Sequence, residues 1–130
     1  MEKLLKSGDI SENSIQKAVM QWVKLNPILR KVVIHIPNEG KRTRSYGKSL
    51  KDMGMRPGVS DLFIAMQCHG YGGAWIELKS KNGRLNVSQK KFIEDMIVQN
   101  YFTRICYSIG DAIETIAWYC FDDNAIHAIR

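Results

Sequence analysis

Two stretches, Pro57-Gly58-Val59-Ser60-Asp61-Leu62-Phe63-Ile64-Ala65 and Gly72-Gly73-Ala74-Trp75-Ile76-Glu77-Leu78-Lys79, decide how this sequence folds. Side chains alternate between the faces of an extended chain, so Ile76 and Leu78 point into a core while Glu77 and Lys79 emerge together on the opposite face. An acid and a lysine on an otherwise apolar strand cost desolvation energy, which calls for a compensating charge or a function. Asp61, on the preceding apolar stretch, supplies a second carboxylate. Together the two acids suit a hard divalent cation, with Lys79 beside them to meet a phosphate or a water. The turn residues His69-Gly70-Tyr71-Gly72-Gly73 between the stretches predict that the two strands pair antiparallel.

The remaining elements follow from periodicity and punctuation. Ser11 is placed to cap a helix running to about Leu25, with Ile15, Ala18, Val19, Trp22 and Val23 as its inner stripe and Glu12 at the start of that stripe. Pro27 is expected to end this helix, and Val32-Val33-Ile34-His35-Ile36 reads as a β-branched strand stopped by Pro37. Asn82-Gly83 marks a turn. Ser88 is expected to cap a helix from Gln89 to about Asn100, with Phe92, Ile93, Met96 and Ile97 facing inward. Phe102 to Ser108 reads as a fourth strand, and Gly110-Asp111 opens a last helix with Ile113, Ile116 and Ala117 inside. The expected order is α-β-β-β-α-β-α, one α/β domain over residues 1–130 with a lead-in over 1–10 and a tail over 122–130.

Composition narrows the function classes. A chain of 130 residues that is 45% apolar builds one core. It holds no apolar run near the roughly 20 residues that cross a bilayer. The N-terminal residues carry charges of both signs rather than a secretory pattern. Cys68, Cys106 and Cys120 are odd in number, far apart and set in apolar surroundings, as reduced core thiols of a cytoplasmic protein would be. The net charge of +6 is concentrated: between Gly40 and Gly58 stand Lys41, Arg42, Arg44, Lys48, Lys51 and Arg56 against Asp52 alone. The segment reads as a loop, and positive charge gathered in this way favours a polyanion through counterion release.

Three phrases, Gly54-Met55-Arg56-Pro57-Gly58-Val59-Ser60-Asp61, Trp75-Ile76-Glu77-Leu78-Lys79 and Gly83-Arg84-Leu85-Asn86-Val87-Ser88-Gln89-Lys90-Lys91-Phe92, resemble the VRR-NUC domain. That family is the virus-type replication-repair branch of the PD-(D/E)xK nuclease superfamily. The opening Ser11-Glu12-Asn13-Ser14-Ile15-Gln16 is similar to the family's first motif. Arg104-Ile105-Cys106 through Asp111-Ala112-Ile113 is similar to its closing strand and helix. A bare D-x15-E-x-K spacing is common by chance; the phrases on either side of it are what make the likeness specific. Ser60 stands where the family often has proline and leaves the aspartate in place.

The resemblance implies a restriction-endonuclease-like core, a central mixed sheet flanked by helices. It implies an active site of Glu12, Asp61, Glu77 and Lys79, with Gln89 opening the following helix. Asp61, Glu77 and the Leu78 carbonyl would bind Mg²⁺ or Mn²⁺, Glu12 would hold a metal-bound water or a second ion, and Gln89 would position Lys79 or a phosphate. The resemblance points to a phage or prokaryotic homodimer that resolves Holliday junctions, and the concentrated charge of Lys41, Arg42, Arg44, Lys48, Lys51 and Arg56 is expected to lie against DNA.

Each residue also has an ordinary structural role. Glu12 would complement a helix dipole, Asp61 would cap a turn, Glu77 and Lys79 would form an ion pair on a strand, and Gln89 would sit in a polar first turn. His35, on a strand leading to the basic segment, and Tyr46 and Tyr71, in loops, are candidates for substrate contact; Trp75 shares a face with Glu77 and suits packing under a helix. The competing functions are a general nicking or flap nuclease, which differs in substrate geometry, and a module that holds branched DNA without cutting it. No recognition-helix or zinc-finger signature reads base sequence.

Overall fold

The computed structural model describes residues 10–37 and 44–122, with backbone alone for residues 44–46. The expected lead-in before Ile10, Lys41 and Arg42 of the basic segment, and the tail beyond Asp122 lie outside the described residues.

Helix α1, Glu12–Lys24, starts at Ser11, whose hydroxyl accepts the Ser14 N–H at 3.1 Å. Ile15, Val19 and Val23, each four residues apart, form its buried stripe. Pro27 does more than stop this helix. Asn26 accepts the N–H groups of Ile28 and Leu29 at 2.8 and 3.1 Å, and Pro27 then opens a second helix, α2, over Pro27–Val32. Proline suits the first helical position, where its missing N–H has no intrahelical partner to lose. The strand expected over 32–36 is accordingly shortened to β1, Val33–His35.

The basic segment is likewise not wholly a loop: helix α3, Arg44–Asp52, lies within it. It closes with Met55 N–H on the Leu50 carbonyl at 2.9 Å and Gly54 at φ +99°. Strands β2, Leu62–Ile64, and β3, Ala74–Leu78, pair antiparallel as expected, Leu62 facing Ile76. Helix α4, Val87–Val98, is capped by Asn86 rather than Ser88. The Asn86 side chain accepts the Gln89 N–H at 2.9 Å, and Gln89 Oε1 accepts the Asn86 N–H at 2.9 Å. This reciprocal box satisfies two donors that a helix start leaves unpaired. Of the inner face expected for α4, Phe92 is buried and Ile93 and Met96 are half-buried, but Ile97 is exposed. Strand β4, Phe102–Cys106, lies parallel to β3, and helix α5, Ile109–Phe121, is capped by Ser108.

The sheet order is β1-β2-β3-β4, mixed in direction. Helices α1 and α5 cover one face. Their Ile15, Val19, Val23, Ile116 and Tyr119 join Leu62, Ile64, Ala74, Ile76 and Leu78 in one apolar core. Helix α4 covers the other face, where Phe92 meets the Trp75 ring edge-on at 4.9 Å and Trp75 leans on Phe63 at 4.5 Å. Cys68, Cys106 and Cys120 are free, buried thiols. Among the described residues no helix is long and apolar enough to cross a membrane.

Candidate active site

The end of the sheet where β3 finishes and β2 begins gathers the acids expected from the sequence. Glu77 is the last outward-facing residue of β3 and is only 2% exposed. Lys79, one residue past the strand, is 6% exposed, and its Nζ lies 3.6 Å from Glu77 Oε2 and 3.8 Å from Glu12 Oε1. Glu12 reaches it from the first turn of α1. Asp61 arrives from the loop before β2, and its Oδ2 accepts the Leu78 N–H at 2.7 Å. Gln89 completes the set from the first turn of α4, its Nε2 donating to Glu77 Oε2 at 3.3 Å. Because Gln89 Oε1 is held by the Asn86 N–H, the amide group is oriented with its donor toward the carboxylate. The contact of Gln89 is thus with Glu77 rather than with Lys79.

Gly58 explains how the Asp61 loop fits against α4. Its φ is +86°, and a Cβ there would stand 2.3 Å from the Ser88 carbonyl oxygen and 2.8 Å from the Gln89 nitrogen. Only glycine allows both the left-handed turn and the backbone-to-backbone approach. Among the described residues, Gly58 is therefore a positioning residue, and the phrase preceding Asp61 carried that signal without its reason.

Electrostatics at the site are frustrated. Burial and then the nearby Asp61 push the Glu77 carboxyl up to about 8 from an ordinary 4.5. Burial also raises Asp61, against the Leu78 N–H that favours its charged form. Two desolvated carboxyls sharing a site cannot both ionise cheaply, so the pair holds a proton near neutrality. Glu77 Oε1 is buried and has no hydrogen-bond partner. A cation fits this donor set: an orphaned carboxylate oxygen, a second carboxylate and the Leu78 carbonyl are all hard oxygens. Among the described residues no group of three or more His, Cys, Asp or Glu is gathered as a full metal cage. Mg²⁺ is commonly bound by one or two carboxylates while keeping waters, and such a cage is not required for it.

The basic residues divide. Lys48 and Lys51 are exposed on α3. Arg56 pairs with Asp95 at 2.6 Å and lies over the Phe92 ring, 5.2 Å from its centroid. Arg56 and then Lys91 hold the Asp95 carboxyl below its ordinary range. Arg56 thus ties the loop that carries Asp61 to α4. The side chains of Arg44 and Tyr46 lie outside the described residues. Tyr71 packs against Phe102 at 5.6 Å, at the opposite end of β3 from the acids. Trp75 packs under α4 as its alternation suggested. His35 does reach the site: its Nδ1 lies 3.2 Å from the Asp61 carbonyl oxygen and Gln16 lies against its ring.

Known proteins share the fold and the sequence pattern described above. The family model of the VRR-NUC domain matches residues 10–109. A solved structure described as "VRR_NUC domain protein" superposes with a TM-score of 0.74 at 26% identity, over 85% of this chain and 88% of that one. No curated protein matches the sequence. The four-stranded mixed sheet flanked by helices is thus a nuclease-type fold, and the chain belongs to the VRR-NUC domain family.

Proposed function

We propose that this protein is a Mg²⁺- or Mn²⁺-dependent endodeoxyribonuclease that acts on branched DNA, with the four-way Holliday junction as its substrate and a homodimer as its working form. The observation that carries the reading is the buried, unpartnered oxygen of Glu77 beside Asp61 and Lys79. A buried carboxylate left without a partner is costly, and a divalent cation is the partner its chemistry suits.

Asp61, Glu77 and the Leu78 carbonyl would hold the ion. When bound, it supplies Lewis-acid activation of a phosphodiester and a readily deprotonated water. The chain's own groups perform the rest. Gln89 holds one oxygen of the Glu77 carboxylate and leaves the second unpartnered. Lys79, held between Glu77 and Glu12, keeps an ammonium where negative charge grows on the phosphate oxygens during attack. The first turns of α1 and α4 both open at this end, where the helix dipoles favour a phosphate. Lys48 and Lys51 on α3 extend the positive surface along a DNA arm. Two symmetric nicks resolve a four-way junction, which suits a pair of identical subunits.

The deciding experiment presents a four-way junction, a flap, a single strand and a plain duplex to the protein with Mg²⁺, Mn²⁺ or EDTA, while light scattering reports its mass. Paired nicks on the junction by a dimer are expected, with silence in EDTA. Equal cutting of duplex and junction by a monomer would replace the resolvase reading with a general nicking nuclease. Tight junction binding without cutting in either metal would leave a DNA-holding module.

A further inference from the structure

Asp61 is held at more points than its carboxylate. Its carbonyl oxygen accepts the Ile36 N–H at 2.8 Å and also lies 3.2 Å from His35 Nδ1. Its Oδ2 takes the Leu78 N–H. A carbonyl only accepts, so the contact with Asp61 is a hydrogen bond in the tautomer that carries its proton on Nδ1, which leaves Nε2 as an acceptor. The Gln16 amide nitrogen stands 3.1 Å from that Nε2, and 2.8 Å from Nδ1. In that tautomer the amide bonds Nε2; in the other it donates to Nδ1 at the shorter distance and the Asp61 link is lost, so the tautomer decides between the two. Gln16 lies four residues after Glu12, one turn along the same face of α1.

From this juxtaposition we propose that Gln16 and His35 are positioning residues, a brace that fixes the Asp61 backbone in register with the helix bearing Glu12. Glu12 and Asp61 come from separate elements, and within the site no hydrogen bond or ion pair among the described residues links them directly. The chain Gln16–His35–Asp61 supplies that link. It explains why an edge strand ends in an imidazole turned toward a neighbouring backbone carbonyl, where a β-branched residue would serve pairing alone. His35 acts through Asp61 and leaves the phosphate to Lys79.

The inference rests on the nuclease reading for its kinetic arm, and has a second arm that does not. In the metal-free protein, long-range ¹H–¹⁵N spectra should show neutral His35 as the Nδ1–H tautomer, and Gln16→Leu should weaken that preference. In the kinetic arm, His35→Phe keeps a ring and removes the donor, whereas His35→Asn places an amide N–H near the position of Nδ1. On a four-way junction with Mg²⁺, His35→Phe should lower kcat by about ten- to a hundredfold, with KM within about twofold of wild type. His35→Asn should recover to within about threefold of wild type, and Gln16→Leu should fall between the two. A KM that rises while kcat holds would make His35 a substrate contact instead and overturn the brace. So would an Nε2–H tautomer, or His35→Asn as impaired as His35→Phe. Should the wild-type protein cut no DNA, the nuclease reading fails by itself, and the tautomer of His35 with its response to Gln16→Leu still decides the brace.

Discussion

The two faces of β3 are made by alternate residues of one five-residue strand, and they serve opposite ends. Ala74, Ile76 and Leu78 are enclosed by α1, α5 and β2 in a dry apolar core. On the reverse, Glu77 is as deeply enclosed as they are, yet it meets an acid, a lysine and an amide and leaves one oxygen unpaired. Burial stabilises on the first face and destabilises on the second. The apolar face makes the fold secure enough to hold charges at the site in a costly arrangement.

The sharpest test exchanges the two faces' roles. Glu77→Gln is nearly isosteric and removes the charge. It should abolish cleavage by on the order of 10³-fold or more while leaving junction affinity in EDTA close to wild type, since the Asp61–Glu77 pair already holds a proton near neutrality. Asp61→Ala and Lys79→Ala should also stop turnover without unfolding the protein. Ile76→Ala, one residue away, should do the reverse. Its cavity should cost about 2–5 kcal/mol in urea unfolding, with cutting per folded molecule largely kept. Wild-type cutting by Glu77→Gln at the same Mg²⁺ concentration would end the distinction between the faces.

The pH dependence of stability sharpens the same contrast. Glu77 is raised to about 8 in the folded protein from an ordinary 4.5, so between those values the folded state keeps a proton that the unfolded chain releases. Stability from this group is complete at low pH and is lost as pH rises through 8, with a limiting slope of ~1.4 kcal/mol per unit. Asp61, raised by burial too, changes stability in the same direction. In EDTA the urea midpoint should therefore fall between pH 5 and pH 8, and Glu77→Gln should flatten the fall. At pH 8 that variant should be the more stable protein by about 1–3 kcal/mol. Added Mg²⁺ should restore wild type more at pH 8 than at pH 6, because the cation takes the proton's place. A metal-free midpoint that climbs toward pH 8 would contradict the raised carboxyl.

Much of this was legible in the chain. Alternation placed Ile76 and Leu78 on one side of β3 and Glu77 on the other, and the turn at His69–Gly73 paired β2 with β3, because period and turn chemistry are local properties. The family phrases brought together Glu12, Asp61, the Glu77–Lys79 pair and Gln89, which lie on four different segments. What escaped depended on contacts rather than pattern. Pro27 punctuates a helix end and a helix start alike, and only Asn26 turning back onto Ile28 and Leu29 decides for α2. Asn86 and Ser88 both suit a cap; the answer depended on Gln89 closing the box with Asn86. Gly58 and His35 act through the backbone of distant residues, and no spacing along the chain reports such an approach.

Arg56 provides the finest test, because its position separates charge that faces solvent from charge already matched. Sequence alone groups it with Lys48 and Lys51 as a phosphate contact. In the fold it is bonded to Asp95 and laid over Phe92, beneath which Trp75 leads along β3 to Glu77. A guanidinium engaged in this way releases few counterions when DNA arrives, whereas the exposed ammonium groups of α3 release theirs. Neutralising Lys48 and Lys51 together should flatten the log–log salt dependence of duplex-arm binding by ~0.9 for each lost contact. Arg56→Gln should change that slope by less than one such contact. Its effect should fall instead on kcat and on melting temperature, both slightly lowered, because the Asp61 loop loses its tie to α4. A loss of slope of ~0.9 on Arg56→Gln, as for one lost lysine contact, would return Arg56 to the DNA surface and leave the seating of Asp61 to Gly58 and the Leu78 N–H.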